Sequence, residues 1–413
     1  MTYLKDVNIQ AADSPSIDAF GRWRTSEQFT LFDSKMLYDK APDFYDEVTN
    51  GTATSNWANS KVTMTVSANN DYVIRQSKVR LTYQPGKSQL VILTGLIGGA
   101  AADTVSRLGY FNSSIVAPHT ADFDGLYFEQ AAGVVTINQR RNGADTGTVA
   151  QASWNVDTLD GNGPSAITVD WTVPQIFFMD FEWLGLGRVR FGLVIDGIPV
   201  VCHAFNNANS LASALQPYMI SPNHSVRYEI RSTGGTSSLE QVCSSVQSEG
   251  GFNPNGTDRS YDLGIGPGQQ VDADTAGTLY ACIGIRLKTT HLDAAIDVLK
   301  LSTLCDSGSD FQWQLALNPT RVGGTFTYAA AATNSPVEVA RGATGAAPTV
   351  TRGTGILLDS GYVAQEGGSD ISPLRNALRL GSTIAGVRDE IVLSISAGST
   401  NEDVFASLTW REL

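Results

Sequence analysis

Arg188-Val189-Arg190-Phe191-Gly192-Leu193-Val194-Ile195-Asp196-Gly197-Ile198-Pro199-Val200-Val201-Cys202-His203-Ala204 is the stretch on which the fold turns. Apolar runs flank Asp196-Gly197, a dipeptide suited to the two left-handed positions of a tight hairpin turn. Two strands, 188–195 and 198–204, are therefore expected to pair in antiparallel fashion. Working outward, residues 176–182 read as a neighbouring strand, and Val62, Met64 and Val66 alternate with polar neighbours as a half-buried strand requires. Residues 88–95 follow a Gln84-Pro85-Gly86-Lys87 turn and are apolar enough to be buried on both faces, and 125–129 and 133–137 read as further strands. Beyond a Gly/Asn-rich linker at 250–256, the pattern resumes at 279–287, 296–304, 311–317, 355–358, 391–396 and 405–410. One short helix is expected at 210–215, capped by Asn209 or Ser210 and ended by Pro217. The reading is all-β: a sandwich at 58–250 and a second at 251–413, behind an extended N-terminal arm at 1–57 whose periodicity is poor and which carries one or two short strands ordered by contacts outside itself.

A chain of 413 residues exceeds what one hydrophobic core usually holds, which fits two sandwiches. Charged residues are only 17%, against about 25% in an average globular protein, and 40 glycines supply many turns. A formal charge of −13 argues against nucleic-acid or anionic-membrane partners. The densest basic cluster, Arg188 and Arg190 with Arg140 and Arg141 upstream, is too small to reverse that. Cys202, Cys243, Cys282 and Cys305 lack the close spacing of a zinc or redox motif and read as free thiols in strands. The opening Met-Thr-Tyr-Leu-Lys-Asp has no apolar signal core, and no apolar run is long enough to cross a bilayer, so synthesis in a cytoplasm without membrane insertion is expected.

The residues that carry chemistry are few. Asp180 and Glu182 project to one face of a strand, because strand side chains alternate. Paired carboxylates flanking a sugar are what glycoside hydrolysis needs, but the plainer expectation is that Asp180 and Glu182 are paired or hydrogen-bonded on the concave sheet, facing Arg188, Arg190 or Arg227. Trp154, Trp171 and Trp183 are candidate stacking platforms for a glycan, and equally candidates for the core. His119, His203, His224 and His291 fall in no metal-binding spacing, and 258–262 and 272–274 lack the spacing of a calcium loop. Gly86-Lys87-Ser88 lacks the earlier glycine of a phosphate loop, and no Gly-x-Ser-x-Gly elbow is present. No metal and no cofactor are expected.

The stretch Ile176-Phe177-Phe178-Met179-Asp180-Phe181-Glu182-Trp183-Leu184-Gly185 resembles the catalytic strand of concanavalin-like jelly rolls of the laminarinase type, which reads Glu-x-Asp-x-Glu and often continues to Leu-Gly. Asp180 and Glu182 match the second and third acidic positions, while Phe178 stands where the nucleophile belongs. The resemblance covers about thirty residues. It implies a concanavalin-like first sandwich and counts against hydrolysis, since a retaining mechanism has no covalent acceptor here.

A wider resemblance is to a family of tailed-bacteriophage virion proteins. It is carried by Ser16-Ile17-Asp18-Ala19-Phe20-Gly21-Arg22-Trp23-Arg24-Thr25-Ser26, Arg80-Leu81-Thr82-Tyr83-Gln84-Pro85-Gly86-Lys87-Ser88-Gln89, His203-Ala204-Phe205-Asn206-Asn207-Ala208-Asn209 and Arg227-Tyr228-Glu229-Ile230, with Leu408-Thr409-Trp410-Arg411-Glu412 near the end. It implies a non-enzymatic component of head, neck or tail, made in the host cytoplasm and carried on the virion. The arm would bury Phe20, Trp23, Phe29 and Phe32 against a neighbour, with Arg22 and Arg24 pairing to carboxylates. Other copies of the chain and other virion proteins are the expected partners. The alternative is a tail-fibre module that binds host-surface glycan through Trp154, Trp171, Asp180, Glu182 and Trp183, or, furthest out, a degenerate glycoside hydrolase.

Overall fold

A computed structural model describes residues 26–208, 216–253, 255–306, 309–364, 369–370 and 379–413. The protein is all-β, and among the described residues the one helical element is a 3-10 turn at Gln151–Ser153. The first sandwich packs an eight-stranded sheet on a seven-stranded one, all pairs antiparallel. The eight-stranded sheet runs Ile198–Asn206, Arg188–Ile195, Gln175–Phe181, Ser88–Leu96, Ser237–Glu249, Lys61–Val66 and Thr54–Ala58, with Gln28–Lys35 also paired to Ser237–Glu249. The seven-stranded sheet runs Ala144–Ala150, Val134–Arg141, Asp124–Ala131, Thr104–Asn112, Val226–Ser232, Tyr72–Ser77 and Tyr45–Asn50. One core fills the space between them, from Phe32 to Val246.

The hairpin forms as read: Ile195 pairs with Ile198, and Asp196 and Gly197 take φ of 52° and 78°. Val62, Met64 and Val66 are fully buried while their neighbours are not. Ser88–Leu96 differs from expectation by burying alternate residues only, which leaves Leu90 and Ile92 half-exposed on the outer face. The second sandwich has its own core, from Leu263 to Trp410, between a five-stranded sheet centred on Glu402–Glu412 and an eight-stranded sheet centred on Leu279–Leu287 and Glu390–Ala397. The short helix expected at 210–215 lies outside the described residues.

The arm expected at 1–57 is corrected. Residues 1–25 lie outside the described residues, but Gln28–Lys35, Tyr45–Asn50 and Thr54–Ala58 are strands of the first sandwich. Their period of two is disguised by polar residues that find partners inside the fold. Glu47 pairs with the buried Arg75 and accepts from Lys40 at 2.9 Å; Arg75 Nε donates to Gln241 at 2.8 Å. Tyr45 is buried with its hydroxyl 3.0 Å from Ser244 Oγ.

The outer face of the seven-stranded sheet is also buried, and it is ionic. Glu229 is fully enclosed and accepts from Arg227 (2.8 and 2.6 Å), Arg107 (2.5 Å) and Arg231 (3.3 Å). The guanidiniums also lie over rings, Arg107 on Phe123, Arg227 on Phe111 and Arg231 on Tyr72. Burial pushes the Glu229 carboxyl up, but the three cations outweigh it and hold it far below the usual carboxylate range. The second sandwich closes part of this face, with Ile384 packed on Tyr72 and Ile74. Glu229→Gln would leave three guanidiniums around a neutral amide, so it is expected to cost on the order of 3–5 kcal/mol. The check is the urea midpoint at constant slope; an unchanged midpoint would mean that water already reaches the cluster.

Candidate functional site

The site residues nominated from sequence do not converge. Phe20, Arg22, Trp23 and Arg24 lie outside the described residues. Phe32 is 6% exposed and belongs to the first core, edge-on to Phe44 and Tyr45, so its expected burial against another subunit is corrected. Phe29 stacks on Phe252 at 5.2 Å and thereby ties the linker at 250–256 to the first sandwich.

The tryptophans divide between the two ends of one strand. Trp154 is buried, donates to Val149 O at 3.3 Å and meets Trp171 edge-on; Trp171 stacks on Phe177 and donates to Gln151 at 2.9 Å. Trp183 donates to Met219 O at 3.3 Å and packs edge-on to Tyr83. Trp171 packs back on Phe177, whereas Trp183 follows the strand Gln175–Phe181 and sits beside Tyr83, which stacks on Phe181, so the two rings pack on different residues. No common glycan platform is formed. Phe177, Met179 and Phe181 fill the core, so Phe178 and Asp180 face outward. Phe178 lies over Gly192, where a Cβ would come within 2.3 Å of the ring. Asp180 is paired across the sheet with Arg190, and Glu182 is exposed beyond the strand end. The three acidic positions of a hydrolase are therefore a packing ring, an ion pair and a surface carboxylate.

The residues that do converge come from five separate segments and line a cleft of about 400 Å³ between the two sandwiches. The first sandwich contributes Arg80, Asn112, Asp122, Asp124, Asn142 and the segment around Ser221 and His224; the second contributes Thr289, Thr290, Leu292 and Asp293. Asp124 anchors the first wall. Its Oδ1 accepts from the amides of Asn142 and Ile220, each at 3.0 Å, and its Oδ2 from the amide of Ser221 at 3.3 Å. His224 Nε2 stands 3.0 Å from the same Oδ2, while its Nδ1 lies 3.0 Å from Asn112 Nδ2. Asn112 donating to Nδ1 makes that nitrogen the acceptor of the ring, while Nε2 is close to Asp124 but makes no hydrogen bond among the described residues. Burial raises the Asp124 carboxyl, but His224 and the amides outweigh it and hold it below the usual range.

Arg80 and Asp293 brace the two walls. Arg80 Nη1 donates to Leu292 O at 3.2 Å and Ser382 Oγ at 2.8 Å; Asp293 Oδ2 accepts from Ser221 Oγ at 2.7 Å and its carbonyl from Asn223 at 3.0 Å. Burial brings Arg80 down to about 10, with Asp293 opposing the shift. Asp46 accepts from the Ile384 amide at 2.7 Å, and Lys78 O from the Ser382 amide at 2.9 Å. Among the described residues no group of three His, Cys, Asp or Glu side chains is disposed to hold a metal. Chemically the cleft offers hydrogen-bond donors and acceptors around an open space of about 400 Å³. Sequence reading missed it because no local motif spans residues 80 to 293; the dense polar loops Ser221-Pro222-Asn223-His224 and Thr289-Thr290-His291-Leu292-Asp293 were the available signal.

No family model matches the chain, and no curated protein matches it. Among solved structures, the Emp47p carbohydrate recognition domain is 13% identical over 54% of this chain and 96% of that one, at a TM-score of 0.33. The CBM2 module of the evolved Dit of Lactobacillus casei BL23 phage J-1 is 8% identical over 56% and 100%, at 0.36. A glycoside hydrolase family protein from Mycobacterium thermorestibile is 11% identical over 52% and 99%, at 0.32. Each likeness is faint, and what the cleft does follows from its own residues.

Asp124→Asn would turn an amide NH2 toward donors already in place and is expected to cost roughly 1–3 kcal/mol. Because the folded carboxyl is depressed, its stabilisation is present above the unfolded value near 4 and lost as pH falls through the folded one. Urea titrations at neutral and acid pH should therefore show a smaller gap between wild type and variant in acid; a gap that widens in acid contradicts the assignment.

Proposed function

We propose that the chain is a non-catalytic structural protein of a tailed-phage particle, made in the host cytoplasm and assembled with copies of itself and other virion proteins. The observation that supports this best is the use made of the nominated acids. Asp180 is paired with Arg190, and a phenylalanine occupies the position a nucleophile would need. What remains is a body suited to holding a shape. The two sandwiches are braced by Arg80, Asp293 and Asp46, so a load on one is passed to the other. In this reading the segment before the first strand, with Phe20, Arg22, Trp23 and Arg24, makes the contact to a neighbour.

A glycan-binding role on the tryptophan face is disfavoured, because Trp154 is buried, Trp171 is half-buried with its ring stacked on Phe177, and Trp183 packs elsewhere against Tyr83. Deletion of residues 2–25 tests the structural proposal and leaves every described strand intact. The truncated protein is expected to keep its thermal midpoint and to be missing from purified particles, while Glu182→Gln particles infect normally. Full occupancy by the truncated chain would remove the arm, and sugar release abolished by Glu182→Gln would restore an enzymatic reading.

A further inference from the structure

We infer that the outermost strand of the second sandwich, Ile356–Val363, pairs with the same strand of a second copy of this chain, antiparallel about a two-fold axis. Its one strand partner among the described residues is Phe311–Leu317, which leaves the other edge without a strand. An unpaired edge is a template for another strand unless charge, proline or a covering loop guards it. Other edges of the molecule are guarded. Along Ile198–Asn206 the amides of Val156 and Asp157 donate to Cys202 O, each at 3.0 Å, and Thr257–Asp262 carries Asp258, Arg259 and Asp262. Ile356–Val363 is eight residues long, has no lysine, arginine or proline, and exposes Leu357 by 53% and Tyr362 by 83%.

A bulge brings those two side chains to one face. Phe311, Trp313 and Leu315 belong to the second core, so their partners Val363, Gly361 and Asp359 lie on the core side. Tyr362 and Ser360 stand opposite Gln312 and Gln314 on the outer side. Leu358 is skipped in the pairing, which turns Leu357, opposite Ala316, to the outer side as well. Gln312 Nε2 donates to Tyr362 Oη at 3.3 Å and steadies the ring there. The strand is then complementary to itself. With the axis at Ser360 and Leu358 skipped in both copies, Tyr362 of each strand faces Leu357 of the other, an aromatic–aliphatic pair made twice. Ser360 meets Ser360 at the axis, and Val363 meets Ile356. The one charge of the strand, Asp359, accepts from the Ser360 amide at 2.8 Å and meets Gly361 of the copy, so like charges are not opposed. This interface would be one of the contacts between copies that the structural proposal calls for, and it rests on that reading to that extent.

A single strand pair is a small interface, so a dimer with a dissociation constant of about 10–100 µM is expected, read by sedimentation velocity of the full chain from about 1 µM to 1 mM. Ser360, Leu357 and Tyr362 are exposed, so substitutions there are expected to leave the thermal midpoint unchanged. Ser360→Lys and Ser360→Glu each set like charges against each other at the axis, and each is expected to be monomeric alone. An equimolar mixture of the two should form a dimer again, because the charges then oppose. Leu357→Thr is expected to weaken the wild-type dimer by about tenfold. The inference is overturned if the wild type stays monomeric throughout, if Ser360→Lys associates as the wild type does, or if the mixture associates no better than its components. Should either Ser360 variant fail to fold, Leu357→Thr decides, and an unweakened dimer overturns the inference. The measurement is made in free solution, so its outcome is separate from that of deleting residues 2–25: a monomeric wild type strikes this edge and leaves the arm, and a truncated chain that is missing from particles but still dimerises strikes neither.

Discussion

Arg227 can be buried, and Arg107 and Arg231 largely covered, on the outer face of the seven-stranded sheet because one carboxylate, Glu229, accepts from all three. Much of the molecule follows from that arrangement. Arg231 also donates to His119 O at 3.0 Å, and Arg107 lies under Phe123, so the loop between Asn112 and Asp124 is held down on the sheet. That loop delivers Ser113, Asp122 and Asp124 to the cleft wall. The same face offers Tyr72 and Ile74 to Ile384, which seats the second sandwich. A face of isolated charges would have stayed hydrated; neutralised and covered by rings, it becomes a surface on which another layer can pack.

The junction between the sandwiches is correspondingly polar. Hydrophobic contact there is small, centred on Ile384, whereas Arg80, Asp46, Ser221, Asn223, Asp293 and Ser382 supply directional bonds. Such bonds add modest net stability, but a misaligned partner leaves a buried group unsatisfied, so they select one relative orientation. Selection of orientation leaves a cleft of defined shape where two apolar faces would have closed completely.

Comparison of expectation with structure separates two kinds of signal. The Asp196-Gly197 hairpin and the Val62-Met64-Val66 strand were legible because each depends on neighbours in sequence. Short strands were expected in the arm, but their place in the first sandwich was illegible; at 45–50 the inward polar residues find partners far along the chain, Glu47 with Arg75 and Tyr45 with Ser244. Strand periodicity put Asp180 and Glu182 on one face and left ion-paired carboxylates, a glycan contact and a catalytic pair all open, with ion pairing expected. Periodicity places them on a common side, yet it is silent on whether that side is the core, a cleft or an ion-paired outer surface.

Local sequence determined the class of this protein, an all-β chain of turn-delimited strands with a tight hairpin, since hydrogen-bonded turns and alternating burial are decided within a few residues. Tertiary structure alone decided where function could reside. The cleft gathers Arg80, Asp122, Asn142, Ser221 and Thr289 from segments that pair with different strands or belong to different sandwiches. Convergence of that kind is set by sheet order and by the docking of one layer on another, and neither is written in the spacing of the residues concerned.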